Sequence, residues 1–256
     1  MNGFMKLEDY QHEKDKGLVV RLLNNAAVKK ALELAAENKL EDIYTYMYKT
    51  SCLRLTQENA PGVIALLCRA QAMLGMTQPV EIYMQHNYDE DIRICGFHLP
   101  FLLISAHYLN ALDENMLLGI LVSRLAGICA GHHRVLFLLE ILELTMGYTS
   151  IPFADKVVGG AANDWKRCRY YTYDRAFYLA TGSREMTLRQ LLIPVLDKEQ
   201  IGRFDFDKEH DGYEQQACRF ENKEVLDDVM EMANSFLSDQ AWTPQRYREI
   251  KAFAGW

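Results

Sequence analysis

Apolar positions along most of the chain recur with the spacing of an amphipathic α-helix. Residues 17–38 and 41–48 show this spacing, and Pro61 lies at the start of a further helical segment that Gly75 ends. The pattern changes after Pro79, where VEIYMQ, IRICGF and PFLLISAHYL are short alternating or apolar runs. These runs, separated by turn residues, predict three short strands that pair locally.

A long apolar tract from Met116 to about Met146 follows the predicted sheet. It is too long for one ordinary core helix, so we expect two helices with a break near Ala130-Gly131. Later helices are predicted over 165–182, over 187–196 and after Thr243-Pro244, a typical helix start.

These elements together predict a mainly helical α+β fold in a single domain, 1–256. The chain has 256 residues, of which 49% are hydrophobic and 25% charged, so it can bury a substantial core. The expected parts are N-terminal helices over 1–75, a small sheet over 79–110, the apolar tract with its following helix over 113–182, and C-terminal helices over 183–256.

Charge and targeting features narrow the classes of partner. The net charge is -7, and no basic stripe is interleaved with aromatic residues, so a nucleic-acid partner is not expected. The N-terminus is charged and has no apolar signal, which favours a cytoplasmic protein. Polar residues interrupt the longest uncharged run, Ile94 to Leu112, so no membrane span is expected. The six cysteines are widely spaced and predict reduced thiols.

One charged residue interrupts the apolar tract. Arg124 lies in LVSRLAGICAGHH, where the surrounding apolar residues predict a buried helix. A buried guanidinium without a partner is costly, so this arginine requires a partner from another part of the fold.

Two segments, LNALDENMLLGILVSRLAGICAGHHRVL and DWKRCRYYTYDRAFYLA, carry a family resemblance. Their order after a small sheet resembles the zinc metallopeptidases related to the heat-shock protease HtpX and the CaaX prenyl protease, in particular their soluble bacterial relatives. In that family an apolar helix carries H-E-x-x-H, which supplies two zinc ligands and a glutamate that activates water. A later helix supplies a third ligand, a glutamate. The resemblance implies a zincin-like metallopeptidase fold with a three-stranded sheet beside the motif helix.

The chain retains the frame of this family and lacks the residues of its metal site. The framing matches include Leu112-Asp113, Gly131-His132, Trp165, Arg167, Asp174-Arg175-Ala176 and Thr243-Pro244 with Arg246. The five motif positions fall on Ser123, Arg124, Leu125, Ala126 and Gly127, and the third-ligand position falls on Tyr170. These residues supply no zinc ligand set, and an arginine that is always protonated cannot act as the base. We therefore expect degenerate active-site helices within 113–182, without metal, cofactor or peptidase activity.

The resemblance also suggests what replaces the metal. Tyr170 and Asp174 are four residues apart on one predicted helix, so their side chains share a face. With the packing of the family, Arg124 would pair with Asp174. The Tyr170 ring would fill the vacated space over Gly127.

A peptide-binding function follows from the same resemblance. In such peptidases the substrate backbone lies along the exposed edge of the small sheet, and here the matching strand contains Ile92, Ile94 and Gly96. We expect a peptide or protein partner to bind by strand addition, in a pseudo-peptidase used for recognition or regulation. The sequence does not predict the oligomeric state.

Two other functions stay open from the sequence. One is an active metal-dependent hydrolase with unorthodox ligands, drawn from His133, Asp174 and the histidines near the sheet, His86, His98 and His107. The other is a structural subunit whose groove is closed by Tyr170 and Arg124. A partial match to a calcium loop at 207–218 has no glutamate at position twelve and predicts an acidic loop.

Overall fold

A computed structural model of the chain describes residues 3–86, 92–146, 154–192 and 243–256. The helices are α1 (Leu7–Tyr10), α2 (Glu13–Leu23), α3 (Ala26–Glu37), α4 (Leu40–Ser51), α5 (Pro61–Met73), α6 (Ala106–Ala111), α7 (Glu114–Cys129), α8 (His132–Met146), α9 (Ala154–Thr181), α10 (Arg184–Leu192) and α11 (Thr243–Ala254). The strands are β1 (Leu53–Arg54), β2 (Glu81–Gln85), β3 (Ile92–Cys95) and β4 (Phe101–Ser105). The prediction of a mainly helical α+β fold is confirmed in these residues.

The sheet is mixed and has the strand order β1-β2-β4-β3. Strands β2 and β4 are parallel, while β1 pairs antiparallel with β2, and β3 pairs antiparallel with β4. The sequence predicted three strands, and the described sheet has four, so this prediction was wrong. The missed strand β1 is only two residues long, too short for an alternating pattern to reveal it.

Both faces of the sheet are covered by helices, and the side chains of β4 alternate between them. Leu102 and Ile104 join a core with residues of α5 and α7. Phe101 and Leu103 face a second core with residues of α3, α4 and α8. This double burial explains why FLLI, residues 101–104, is a continuous apolar run, and it places α7 directly against one face of the sheet.

Helix α7 is the most deeply buried helix of the described chain, and the Asp113 side chain caps its start by accepting a hydrogen bond from the Met116 N–H at 2.9 Å. The axes of α7 and α8 differ by 76°, and Gly131, with φ of +81°, lies between the two helices. The predicted break near Ala130-Gly131 is therefore confirmed. In the described chain no single helix has the length and apolarity of a membrane span, and only the bent pair Glu114–Cys129 and His132–Ile141 meets these criteria jointly.

Some predicted boundaries were wrong. The helical pattern over 17–38 is divided into α2 and α3 at Asn24-Asn25, where the Asn25 side chain accepts a hydrogen bond from the Val28 N–H. Helix α9 begins before Trp165. The acidic loop predicted at 207–218 lies outside the described residues.

A buried carboxylate joins the N-terminal helices to this core. Asp15 of α2 is fully buried, and its Oδ2 accepts hydrogen bonds from Thr172 Oγ1 at 2.6 Å and His132 Nε2 at 2.8 Å. Its Oδ1 accepts a third, from Trp165 Nε1 at 3.0 Å. Because the donors belong to α8 and α9, this one side chain fixes the relative positions of three helices.

The substitution Asp15→Asn is expected to lower the free energy of unfolding by about 3 kcal/mol, since an amide replaces one acceptor oxygen with a donor and removes the charge that compensates three buried donors. Urea denaturation measures this change. Asp42→Asn, at an exposed position of α4, is the matched control and is expected to change stability by less than about 0.5 kcal/mol. Equal stability of the two variants would contradict the role given to Asp15.

Candidate functional site

The positions that match the metallopeptidase motif lie in the buried middle of α7. Ser123 is fully buried, and its hydroxyl donates to the carbonyl oxygen of Ile120 in the same helix at 2.8 Å. Leu125 and Ala126 are also fully buried. These three side chains are therefore part of the packing of α7 and offer no group to a substrate.

Arg124 connects α7 to the edge of the sheet. Its side chain is buried, and its Nε donates a hydrogen bond to the carbonyl oxygen of Ile92 in β3 at 3.0 Å. The guanidinium carbon lies 4.5 Å from the centre of the Tyr173 ring, within the range of a cation–π contact. A carbonyl dipole and an aromatic face thus compensate the buried charge.

The predicted ion pair between Arg124 and Asp174 is wrong. Asp174 is buried and forms a two-pronged pair with Arg246 of α11, with Nη2 to Oδ1 at 2.6 Å and Nε to Oδ2 at 2.9 Å. The Gln190 side chain also donates to Oδ1, at 3.3 Å. Burial disfavours the charged form of Arg246. The neighbouring Asp174 carboxylate outweighs this effect and raises the pKa of Arg246 above the ordinary arginine value. Asp174 therefore holds the C-terminal helix against α9.

The ring over Gly127 is that of Tyr173, so the prediction that Tyr170 covers it is also wrong. A Cβ atom at Gly127 would lie 2.5 Å from Cε1 of Tyr173, 3.0 Å from Cδ1 of Ile94 and 3.1 Å from Nδ1 of His132. Only glycine permits this approach of α9 and β3 to the α7 backbone. The space expected for a metal is filled by an aromatic ring.

Tyr170 instead lies among guanidinium groups. Its ring centre is 4.8 Å from the guanidinium carbon of Arg246 and 5.1 Å from that of Arg169, and 5.8 Å from the Tyr173 ring centre. Arg169 also stacks on the Trp165 ring at 5.6 Å. No sequence pattern singled out Arg169, because a single arginine in a polar helix segment is ordinary.

We call Arg124, Arg169, Arg246, Tyr170, Tyr173 and Asp174 the arginine–tyrosine cluster. Burial raises the pKa of Tyr173 to about 12, against the opposing effect of Arg169 and Arg124, so this phenol is neutral at physiological pH. Three guanidinium groups and one carboxylate give the cluster a net charge of +2. The one carboxylate, Asp174, is held by Arg246 and Gln190, and the net positive charge of these six residues disfavours a divalent cation.

The histidines considered as alternative metal ligands do not form a cluster in the described residues. His133 is buried, whereas His86, His98 and His107 are exposed, and His98 is engaged with Glu41 through Nδ1 and Oε2 at 2.6 Å. Within the described ranges, no group of three or more His, Cys, Asp or Glu side chains is placed to hold a metal ion.

No family model, curated protein or solved structure matches this chain. Its similarity to the metallopeptidases stays an expectation drawn from the sequence. The arginine–tyrosine cluster and the strand edge beside it are consequently interpreted from their own chemistry.

Replacing Arg124 by lysine is expected to lower the free energy of unfolding by about 2 kcal/mol. A planar guanidinium can stack on the Tyr173 ring while its N–H donates to the Ile92 carbonyl oxygen, and an ammonium group cannot do both. Guanidinium chloride denaturation measures the loss. The same substitution at exposed Arg69 of α5 serves as the control, with an expected change below about 0.5 kcal/mol. A loss at both positions would refute a special role for Arg124.

The pH dependence of stability should carry the signature of His133. Burial, reinforced by the charges of Arg134 and His132, lowers its pKa to about 4. Between about pH 6.5 and pH 4 the unfolded chain binds a proton that the folded chain does not, so stability falls as pH falls, by about 1.4 kcal/mol per pH unit. His133→Gln is expected to remove this part of the slope in denaturation curves recorded at several pH values. An unchanged slope would show that His133 titrates alike in both states.

Proposed function

We propose that the chain is a non-catalytic, metallopeptidase-like protein that binds an extended peptide or protein segment at the β3 edge of its sheet, in a recognition or regulatory role. The composition of the arginine–tyrosine cluster supports the absence of catalysis. Hydrolysis by a metal-bound water requires an ion that lowers the pKa of that water and a base that accepts its proton. The cluster instead concentrates positive charge at the motif positions.

The observation that carries the binding proposal is the geometry of β3. This strand is an edge of the sheet, and its Ile92 carbonyl oxygen accepts the hydrogen bond from Arg124. In an antiparallel pair the backbone groups of successive residues point alternately toward and away from the neighbouring strand. Since the Ile92 carbonyl is directed to α7, the N–H and C=O of Ile94 point away from β4 as well.

An added strand would therefore pair with Ile94 and continue toward Gly96. At the other end, Arg124 occupies the Ile92 carbonyl and limits the pairing. Ile92 and Ile94 are buried as whole residues, at 4% and 2% exposed, so an added segment would pair with the β3 backbone only after the elements that cover this edge move aside. Gly96, with φ of +84°, ends the strand, since a Cβ there would lie 2.6 Å from the Leu99 carbonyl oxygen.

The test uses the wild-type chain, immobilised and panned with a phage-displayed library of random dodecapeptides. Selected peptides are synthesised with a single N-methyl group moved along the backbone, and their affinities are measured by fluorescence anisotropy. Strand addition predicts that N-methylation weakens binding about tenfold or more at alternate positions only, because every second N–H donates to β3.

Proline variants of the protein complete the experiment. Ile94→Pro removes an outward N–H from β3 and is expected to abolish binding, while Arg54→Pro places proline at the opposite edge strand and leaves binding intact. Circular dichroism checks that both variants are folded. Uniform sensitivity to N-methylation, or equal loss in both folded variants, would refute strand addition.

A structural subunit is the second candidate, and an exposed apolar face on α4 favours it. Ile43, Tyr46 and Met47 lie on one side of this helix and are 52%, 70% and 64% exposed. Apolar side chains exposed together often mark contact with another protein. If panning yields no peptide that depends on β3, the structural role becomes the better explanation.

A further inference from the structure

A cleft on the other side of α9 has the size and chemistry of a ligand site. It lies between α2, α9 and α11 and has a volume of about 640 Å³. Pockets that bind small molecules typically measure about 300–1,000 Å³. The cleft includes none of the residues of β3 or of the arginine–tyrosine cluster, so it is independent of the proposed function.

Three helix faces converge on this cleft with regular spacing. Helix α2 contributes residues 14, 17, 18 and 21, and α9 contributes 164, 167, 168 and 171, each set following one helix face. Helix α11 adds residues 245, 248 and 249. The walls are therefore regular helix surfaces, which fix the relative positions of the backbone atoms that carry these side chains.

The charged side chains of the cleft are mostly cationic. They are Lys14, Arg21, Arg167 and Arg248, against Asp164 and Glu249. Counted over the lining residues that the structure describes, the net charge is +2, in a chain whose net charge is -7. A cationic recess in an anionic protein concentrates the field at the recess and attracts anions to it.

The two acidic residues of the described lining are each engaged with a basic side chain. Asp164 accepts a hydrogen bond from Arg167 at 2.6 Å. Glu249 lies 3.0 Å from His12 Nε2, and this hydrogen bond lowers the pKa of the Glu249 carboxyl below its ordinary value. Both carboxylates are thus turned to these partners, and the lowered pKa keeps Glu249 ionised at neutral pH.

The rest of the lining suits an organic group. Leu18 and Tyr171 add apolar surface, and Gly17 leaves the wall bare between Lys14 and Arg21, since a Cβ there would meet nothing within 4 Å. Burial raises the pKa of the Cys168 thiol to about 11, so this thiol is neutral at physiological pH. The described lining therefore offers apolar and charged contacts to a ligand and contains no ionised thiol.

We propose that this cleft binds a small phosphate monoester that carries an apolar or aromatic group. A phosphate monoester has a charge close to -2 at neutral pH, with a second pKa of about 6, and is opposite in sign to the net charge of the described lining residues. Guanidinium groups bind phosphate oxygens in pairs, and lysine adds a point charge. The apolar group would lie against Leu18 and Tyr171.

The probe for the first experiment is phenyl phosphate, titrated into the full chain and followed by calorimetry. Phenol, which has the same ring and no charge, is the matched control. Phenyl phosphate is expected to bind at least tenfold more tightly than phenol at pH 8. This advantage should shrink at pH 5, where the ester is a monoanion, and at high salt. Equal affinity for the two compounds would overturn the proposal.

Two pairs of variants locate the site. Lys14→Glu is expected to weaken binding of phenyl phosphate about tenfold, whereas Lys16→Glu, the same change outside the cleft lining, has a much smaller effect. Both acids fall in the first turns of α2, where negative charge is compatible with the helix dipole. An equal effect of the two reversals would place the binding elsewhere.

The second pair fills space without removing charge. Gly17→Leu projects a side chain into the cleft, and Gly62→Leu makes the same change in α5, where a Cβ also meets nothing within 4 Å. Gly17→Leu is expected to abolish binding of phenyl phosphate, and Gly62→Leu to leave it unchanged. Thermal denaturation verifies that both variants are folded. Binding that survives Gly17→Leu would contradict the assignment of the cleft.

Discussion

A carboxylate that has no contact with water organises the described part of this protein. Asp15 lies near the beginning of the chain, and its three donors come from residues 132, 165 and 172. An unpaired charge at this depth would be prohibitively costly, so the fold is stable only when all three partners are in place. Helix α2 is thereby fixed against α9, and this contact creates one wall of the cationic cleft. The local geometry of the cleft thus depends on a hydrogen-bond network on the other side of the same helix.

The motif positions show how a buried helix can carry an arginine. A carbonyl oxygen and an aromatic ring, both of which interact favourably with positive charge, offset part of the cost of burying Arg124. Gly127 allows the ring to come close enough. The same features leave the positions matched to the metallopeptidase motif filled, and the charge of Arg124 opposes binding of a second cation there.

The sequence predicted the order of elements well, because apolar spacing reports directly on local structure. The break at Gly131, the strands β2 to β4 and the burial of Arg124 all follow from patterns within a few residues. The choice between Tyr170 and Tyr173 as the ring over Gly127 did not follow. It depends on how far α9 is rotated about its own axis, and neighbouring positions differ by about 100°.

Partners far apart in sequence were also beyond prediction. Arg246 lies 72 residues after Asp174 and had been recognised only as a framing position. The Asp15 network spans still longer separations, up to 157 residues. Such contacts are set by the packing of whole helices, for which local spacing carries no information. A buried histidine or tryptophan indicates that a polar partner exists without indicating where it is.

The bond from Arg124 to Ile92 has a consequence for solubility. A sheet edge with a full row of unsatisfied backbone groups can template the growth of further strands from other molecules, the first step toward fibrillar aggregates. Here the buried Arg124 side chain occupies the carbonyl oxygen of Ile92, and β3 has only four residues. The Arg124 guanidinium therefore limits edge-to-edge pairing of β3 with strands of other molecules.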